Sequence, residues 1–155
     1  FMSKKLPFPD GRAYALVGAL GTQTGNATYV GLGLNSSRTQ LGFHNIDDDA
    51  LAGTANAYDD VPNHELFFLQ YFARDCVRIR ALTEGSPCSS IVDLLPRCYD
   101  TEDPNCEMLA LSVRNYLIPN SQRGPAPELT LNPRIIPLQY KAGAPSRLWL
   151  PLILD

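Results

Sequence analysis

Short runs of alternating apolar and polar residues, separated by prolines and glycines, recur along most of this chain. The 155 residues include 13 prolines and 11 glycines, which interrupt regular structure and mark turns. Alternation at every second residue turns one face of a strand toward a core and the other toward solvent. The pattern therefore predicts an all-β fold, with a single domain over residues 1–155 that forms an antiparallel sandwich or barrel.

The clearest alternation lies in the first third of the chain. Residues 13–20 follow the turn signal Pro9-Asp10-Gly11 and predict a strand. Residues 30–34 and 39–43 predict a hairpin whose turn contains Asn35-Ser36-Ser37. Further strands are predicted at residues 108–118, 129 and 131, 135–140 and 148–154.

The central region is less regular. Residues 44–63 predict a long loop that holds five acidic residues, at positions 47–49 and 59–60. Residues 65–73 are apolar on both faces, which fits a buried strand or a core helix. Their aromatic content and the alternation at 77, 79 and 81 favour a strand. A Ser-x-x-Asp capping pattern predicts one short helix at 89–95, in the cysteine-containing region.

Two kinds of residue indicate the secretory route. The first is a set of four cysteines within 31 residues, which allows three disulfide pairings: Cys76, Cys88, Cys98 and Cys106. The second is a pair of N-glycosylation sequons, Asn26-Ala27-Thr28 and Asn35-Ser36-Ser37. Stable disulfides and N-glycans both form in extracytoplasmic compartments. We therefore expect a secreted glycoprotein with two disulfides, and the opening Phe1-Met2 fits a processed N-terminus.

Charge and composition restrict the partners. The net charge of −3 argues against nucleic acid or an anionic membrane as partner. No run approaches the roughly 20 apolar residues that a membrane span needs. Charged residues make up 19% of the chain and hydrophobic residues 45%, a balance that favours a homo- or hetero-oligomer. The apolar C-terminal run at 149–154 must be buried, either in its own sheet or against a neighbouring subunit.

No catalytic or metal-binding motif is present, so no catalytic residue and no metal ligand is assigned. The chain contains no Gly-x-Ser-x-Gly elbow, and Gly31-Leu32-Gly33 lacks the third glycine of a dinucleotide loop. His44 and His64 lie near acidic residues and leave a small secreted hydrolase as one hypothesis. The acidic residues at 47–60 leave an extracellular sugar- or calcium-dependent adhesion module as another, although the helix–loop–helix calcium spacing is missing.

The favoured hypothesis is a non-enzymatic binding, storage or carrier protein for an apolar molecule such as a lipid or a carotenoid-like pigment. Aromatic residues opposite small ones on neighbouring strands could leave a cleft for such a ligand, or could interdigitate as ordinary core. No other cofactor is indicated. The candidate lining residues are Phe67, Phe68, Tyr71, Phe72 and Trp149.

Overall fold

In the computed structural model, which describes residues 1–9, 11–25, 27–37, 41–91, 108–116 and 131–140, seven β-strands form two sheets. The strands are β1 Arg12–Ala19, β2 Tyr29–Ser36, β3 Gly42–Asp47, β4 Phe67–Ala73, β5 Cys88–Ser90, β6 Leu109–Tyr116 and β7 Arg134–Gln139. One sheet has the order β5-β4-β1-β7 and the other the order β3-β2-β6. All neighbours are antiparallel except β4 and β5, which are parallel.

Short helices connect these strands in the described residues. The α-helices are α1, Asp48–Leu51, and α2, Cys76–Leu82, and the 3₁₀ helices are Asn56–Tyr58 and His64–Leu66. An aspartate caps each α-helix: the Asp47 carboxylate accepts a hydrogen bond from the Ala50 amide and the Asp75 carboxylate from the Arg78 amide, both at 3.0 Å. Such caps satisfy amides that have no partner within the helix. None of the described helices is both long and apolar enough to cross a bilayer.

The main core lies between the two sheets, because both supply alternate apolar residues to it. Tyr14 and Leu16 of β1 and Phe68 and Phe72 of β4 are buried there. The other sheet contributes Val30, Leu32, Leu34, Leu109, Leu111 and Val113. Burial of each large side chain stabilises the fold by roughly 1.5–3 kcal/mol. The two sheets form a sandwich rather than a closed barrel.

The outer faces of the two sheets differ in chemistry. The four-stranded sheet is apolar on its outer face as well, and a second buried cluster there includes Ala13, Leu69, Tyr71 and Leu138. Helix α2 covers part of this face through Cys76 and Ile79. The outer face of the three-stranded sheet instead carries glycines and polar residues. A cleft lies on the outer face of each sheet.

Most of the predicted strands are confirmed. Residues 13–20 correspond to β1, 65–73 to β4, 108–118 to β6 and 135–140 to β7. The predicted hairpin is also present, as β2 and β3, but its second strand is Gly42–Asp47 rather than 39–43. Asn35 and Ser36, predicted to lie in the turn, belong instead to β2, where they pair with β6. The all-β class is thus correct, while positions 129 and 148–154 lie outside the described residues.

Five predictions are wrong in whole or in part. The alternation at 77–81 belongs to helix α2, so the predicted strand ends at Ala73. The helix predicted at 89–95 is wrong at its start, because residues 89 and 90 belong to strand β5, Cys88–Ser90, while residues 92–95 lie outside the described residues. Strand β5 is parallel rather than antiparallel to β4. Residues 44–63 are not one loop, since they contain most of β3, helix α1 and a 3₁₀ helix. Position 131 lies before β7 and belongs to no strand.

Candidate ligand-binding pocket

A pocket of about 550 Å³ lies on the outer face of the four-stranded sheet. Strands β1, β4 and β7 form its floor, because alternate residues of each point away from the main core. In register, Ala15 of β1 lies between Tyr71 of β4 and Ile136 of β7. Alanine is the smallest of the three, so the floor is lowest along β1. Val17, Phe67, Leu69 and Leu138 complete the floor.

The wall of the pocket comes from the segment between α1 and β4. Ala55, Tyr58, Val61 and His64 contribute the side chains that line it. Strand β4 pairs with β5 only over residues 71–73, and before that point its backbone bonds to the wall segment. There the Leu69 amide donates to Thr54 Oγ1 at 3.0 Å. The segment is thereby fixed along β4 and converts a flat sheet face into a concave site.

Two tyrosine hydroxyls are the main polar groups of this otherwise apolar pocket. Tyr58 Oη and Tyr71 Oη are 3.4 Å apart, longer than the 2.5–3.0 Å typical of a strong hydroxyl hydrogen bond. A ligand oxygen or nitrogen can therefore compete for either hydroxyl. Burial raises the pKa of Tyr71, and the hydrogen bond with Tyr58 and the proximity of that phenol raise it further. Tyr71 consequently stays a neutral donor at physiological pH.

Comparisons with protein-family models, curated proteins and solved structures found no match. The assignment of this pocket therefore depends on its own geometry and chemistry. Concave, mostly apolar sites with a few converging polar groups are the usual form of small-molecule sites.

The structure divides the predicted ligand-binding residues between two environments. Phe67 and Tyr71 line the pocket, as the ligand hypothesis expects. Phe68 and Phe72 are fully buried in the core between the sheets, as ordinary packing expects. Trp149 lies outside the described residues. The division follows from the two-residue period of β4, which turns neighbouring aromatic residues to opposite faces.

Sequence reasoning missed the contributions of β1 and β7 to the pocket. Ala15, Val17 and Ile136 lie on the outer face, while Tyr14 and Leu16 fill the inner face. The available signal was that β1 has apolar residues at both odd and even positions. Such a strand is normally covered on both of its faces. The partners from β7 are more than 100 residues away in sequence, so no local pattern could connect them.

One predicted disulfide is present. Cys76, at the start of α2, is bonded to Cys88 of β5, and their Cα atoms are 5.5 Å apart. Both sulfurs belong to the apolar cluster that flanks the pocket, and so the bond holds α2 on the outer face of the sheet. Cys98 and Cys106 lie outside the described residues.

The structure describes one of the two sequon asparagines. Asn35 lies on β2, the central strand of its sheet, and its Nδ2 donates to Ser112 Oγ at 3.1 Å. Asn26 lies outside the described residues. Glycosylation at both asparagines stays a prediction.

The two histidines lie in different surroundings. His44 is exposed on edge strand β3. His64 is at the pocket wall, where its Nδ1 is 3.2 Å from the Val61 carbonyl oxygen and 3.9 Å from Glu65 Oε2. Neither histidine has a serine partner in the described part of the chain. Nor do the described residues contain a cluster of three or more His, Cys, Asp or Glu side chains suited to a metal ion.

Proposed function

We propose that this protein is a secreted, non-enzymatic binding or carrier protein whose pocket holds an apolar molecule with one hydrogen-bonding group. The observation that carries the proposal is the 550 Å³ apolar pocket with the hydroxyls of Tyr58 and Tyr71 at its side. A volume within the usual 300–1,000 Å³ range suits a drug-sized ligand. Lipids and pigments of that size are the favoured chemical class.

Apolar contact supplies most of the expected affinity. Each Å² of apolar surface removed from water contributes about 25 cal/mol before the costs of association are subtracted. Leu69 of β4 and Ile136 and Leu138 of β7 offer such surface from the two strands that flank β1. The tyrosine pair adds orientation, since a buried carbonyl or hydroxyl of the ligand needs a hydrogen-bond partner. A sugar fits this site poorly, because most of its hydroxyls would lose water without gaining a partner.

The extracellular location and an oligomeric state belong to the same proposal. The Cys76–Cys88 disulfide is what an oxidising compartment produces, and the sequon at Asn35 lies on the same chain. A carrier that exchanges its ligand outside the cell needs a stable scaffold and an open pocket. The sandwich and its outer cleft supply both features.

Native mass spectrometry of the protein from its source is the first test. We expect the native particle to exceed the mass of its chains and glycans by one discrete small molecule, which denaturation releases. The same spectrum gives the number of subunits. A native particle without any bound molecule, combined with no binding in the experiment below, would contradict the carrier proposal.

A matched pair of variants tests the location of the site. Val17→Phe places a ring in the pocket, whereas Val77→Phe places the same ring on the solvent side of α2, where Val77 is 79% exposed. With anilinonaphthalene sulfonate as the fluorescent ligand, we expect binding to be lost in the first variant and kept in the second. Circular dichroism checks that both variants are folded. Equal binding by the two folded variants would place the dye elsewhere.

A further inference from the structure

A second cleft, of about 500 Å³, lies on the opposite side of the sandwich. It occupies the outer face of the three-stranded sheet, and we call it the polar groove. Its lining residues are Gly33, Asn35, Gly42, His44, Asn45, Ser112 and Arg114. None of them has an apolar side chain, so the groove suits a different class of ligand from the pocket described above.

A hydrogen-bond network fixes the floor of the polar groove. Asn35 Nδ2 donates to Ser112 Oγ at 3.1 Å, and Ser112 Oγ donates to the Gly33 carbonyl oxygen at 3.4 Å. A Cβ at position 33 would lie only 2.8 Å from Ser112 Oγ, so a larger residue there would displace that hydroxyl from the network. The network holds the Asn35 amide in one orientation and leaves its Oδ1 on the side of Gly42, available as an acceptor.

Two aromatic residues lie beside the polar groove, outside its lining. Asn45 Nδ2 donates to Tyr29 Oη at 3.3 Å, and the Tyr29 ring lies over Gly31. That ring in turn makes an edge-on contact with Tyr116, with 5.3 Å between the ring centroids. The contacts of Tyr29 orient the Asn45 amide. The groove thus offers two positioned amides beside an aromatic wall.

Arg114 gives the polar groove a positive charge that no described residue neutralises. Its side chain is exposed and, within the described residues, has no hydrogen-bond or ion-pair partner. Asp47 of β3 carries a carboxylate at the same position along the sheet as Arg114 of β6. Both residues are in register with Gly31 of the central strand β2, from opposite sides. Two strand spacings, about 10 Å, separate those backbones. Asp47 is moreover engaged at the cap of α1.

We propose that the polar groove binds a sugar acid, a molecule that combines several hydroxyls with one carboxylate. The planar Arg114 guanidinium matches a carboxylate in a bidentate arrangement. The amides of Asn35 and Asn45 can each donate to and accept from hydroxyl groups. A glycan on Asn35 Nδ2 would itself lie in the groove, so the proposal applies to the chain that carries no glycan at Asn35. An inorganic anion can accept from the amide nitrogens but leaves the amide oxygens without a donor. The proposal is independent of the apolar pocket, because the two clefts lie on different sheets.

The experiment is an NMR titration of the whole chain, isotopically labelled and produced in a bacterial periplasm so that disulfides form without an N-glycan at Asn35. Glucuronate is the test ligand; glucose, which lacks the carboxylate, and inorganic phosphate, which lacks the hydroxyls, are the comparisons. We expect glucuronate to shift the amide signals of Gly33, Asn45 and Ser112 and to bind at least about tenfold more tightly than either comparison.

Arg114→Gln provides the decisive variant, with Arg134→Gln of β7 as the matched control on the other sheet. Both arginines are exposed, so both variants should fold, and a thermal melt checks this. We expect glucuronate affinity to fall at least about tenfold in the first variant and to stay unchanged in the second. Glucose or phosphate binding as tightly as glucuronate, an unaffected Arg114→Gln variant, or no shifts with glucuronate would each overturn the proposal.

Discussion

At the scale of single residues, two buried tyrosines connect the chemistry of the chain to its stability. Burial raises the pKa of Tyr71 and also that of Tyr14, where the nearby Arg12 charge acts in the opposite direction. Tyr14 lies in the core between the sheets and donates its hydroxyl hydrogen to the Pro7 carbonyl oxygen at 2.6 Å. Both phenols are therefore held in the neutral form in the folded protein.

This difference predicts a loss of stability at alkaline pH. In the unfolded chain both tyrosines ionise near their usual pKa of 10.0, whereas in the folded chain they keep their protons to higher pH. The unfolded state thus releases protons first. The contribution of these two tyrosines to stability is constant below about pH 10 and falls above it, by at most about 1.4 kcal/mol per pH unit for each tyrosine. Urea unfolding at about pH 8 and pH 11 measures the loss.

Tyr71→Phe should reduce the alkaline loss, because phenylalanine has no proton to release. Tyr116→Phe is the control, since Tyr116 is 54% exposed at the end of β6. The comparison uses the change in unfolding free energy between the two pH values, which removes the direct effect of each substitution on packing. An identical alkaline loss in wild type and Tyr71→Phe would contradict the role given to burial of this phenol.

At the scale of elements, helix α2 shows where alternation misleads. Val77, Ile79 and Ala81 alternate with arginines as in a strand, yet the chain is helical. Cys76 and Ile79 are buried one turn apart, while Val77 is 79% exposed. Asp75 was the better indication of a helix, because aspartate is a good N-cap residue and it directly precedes the buried pair Cys76 and Ile79, which are three residues apart. Over seven residues the two periods are difficult to distinguish, and the cap decides between them.

Strand β5 shows the opposite error. Its serines suggested a helix cap, but their backbone pairs with β4. Two hydrogen bonds flank this pairing: the Tyr71 amide donates to the Pro87 carbonyl oxygen, and the Ile91 amide donates to the Ala73 carbonyl oxygen. The paired strands are distant in sequence, since Tyr71 of β4 and its partner Cys88 of β5 are 17 residues apart. Such tertiary pairing overrides a weak local preference, and no local pattern reveals it.

The cap of α2 gives the second prediction. Asp75→Ala leaves the Arg78 amide without its 3.0 Å acceptor and should lower the free energy of unfolding by about 0.5–2 kcal/mol. Asp75→Asn keeps an acceptor oxygen and should retain most of that stability. Urea unfolding of the two variants at neutral pH is the measurement. If alanine and asparagine destabilise the protein equally, or not at all, the cap does not stabilise this helix.

At the scale of the whole molecule, the same alternation builds a core and two chemically different exteriors. The inner faces could be predicted from sequence, because residues such as Leu16, Leu32 and Leu111 alternate clearly with their neighbours. The apolar pocket could not, since its wall at residues 55–64 and its floor on β1, β4 and β7 meet only after folding. The polar groove likewise requires side chains from β2, β3 and β6.

The disulfide pattern is the last prediction, because it tests both the fold and the proposed extracellular location. With Cys76 bonded to Cys88, a second disulfide within the chain can only join Cys98 to Cys106. Both bonds close short loops, and such a bond typically contributes about 3 kcal/mol for a loop of roughly 15 residues. Proteolytic mapping of the unreduced protein should therefore recover two separate cross-linked peptide pairs.

Other outcomes of that mapping have distinct meanings. A bond between Cys76 or Cys88 and either later cysteine would contradict the attachment of α2 to β5. Free thiols at Cys98 and Cys106 would remove one of the two arguments for the secretory route, because an oxidising compartment rarely leaves such thiols reduced. Cys98 or Cys106 linked between chains would instead make the proposed oligomer covalent. Since the first bond flanks the pocket, Cys76→Ser with Cys88→Ser should also weaken dye binding there.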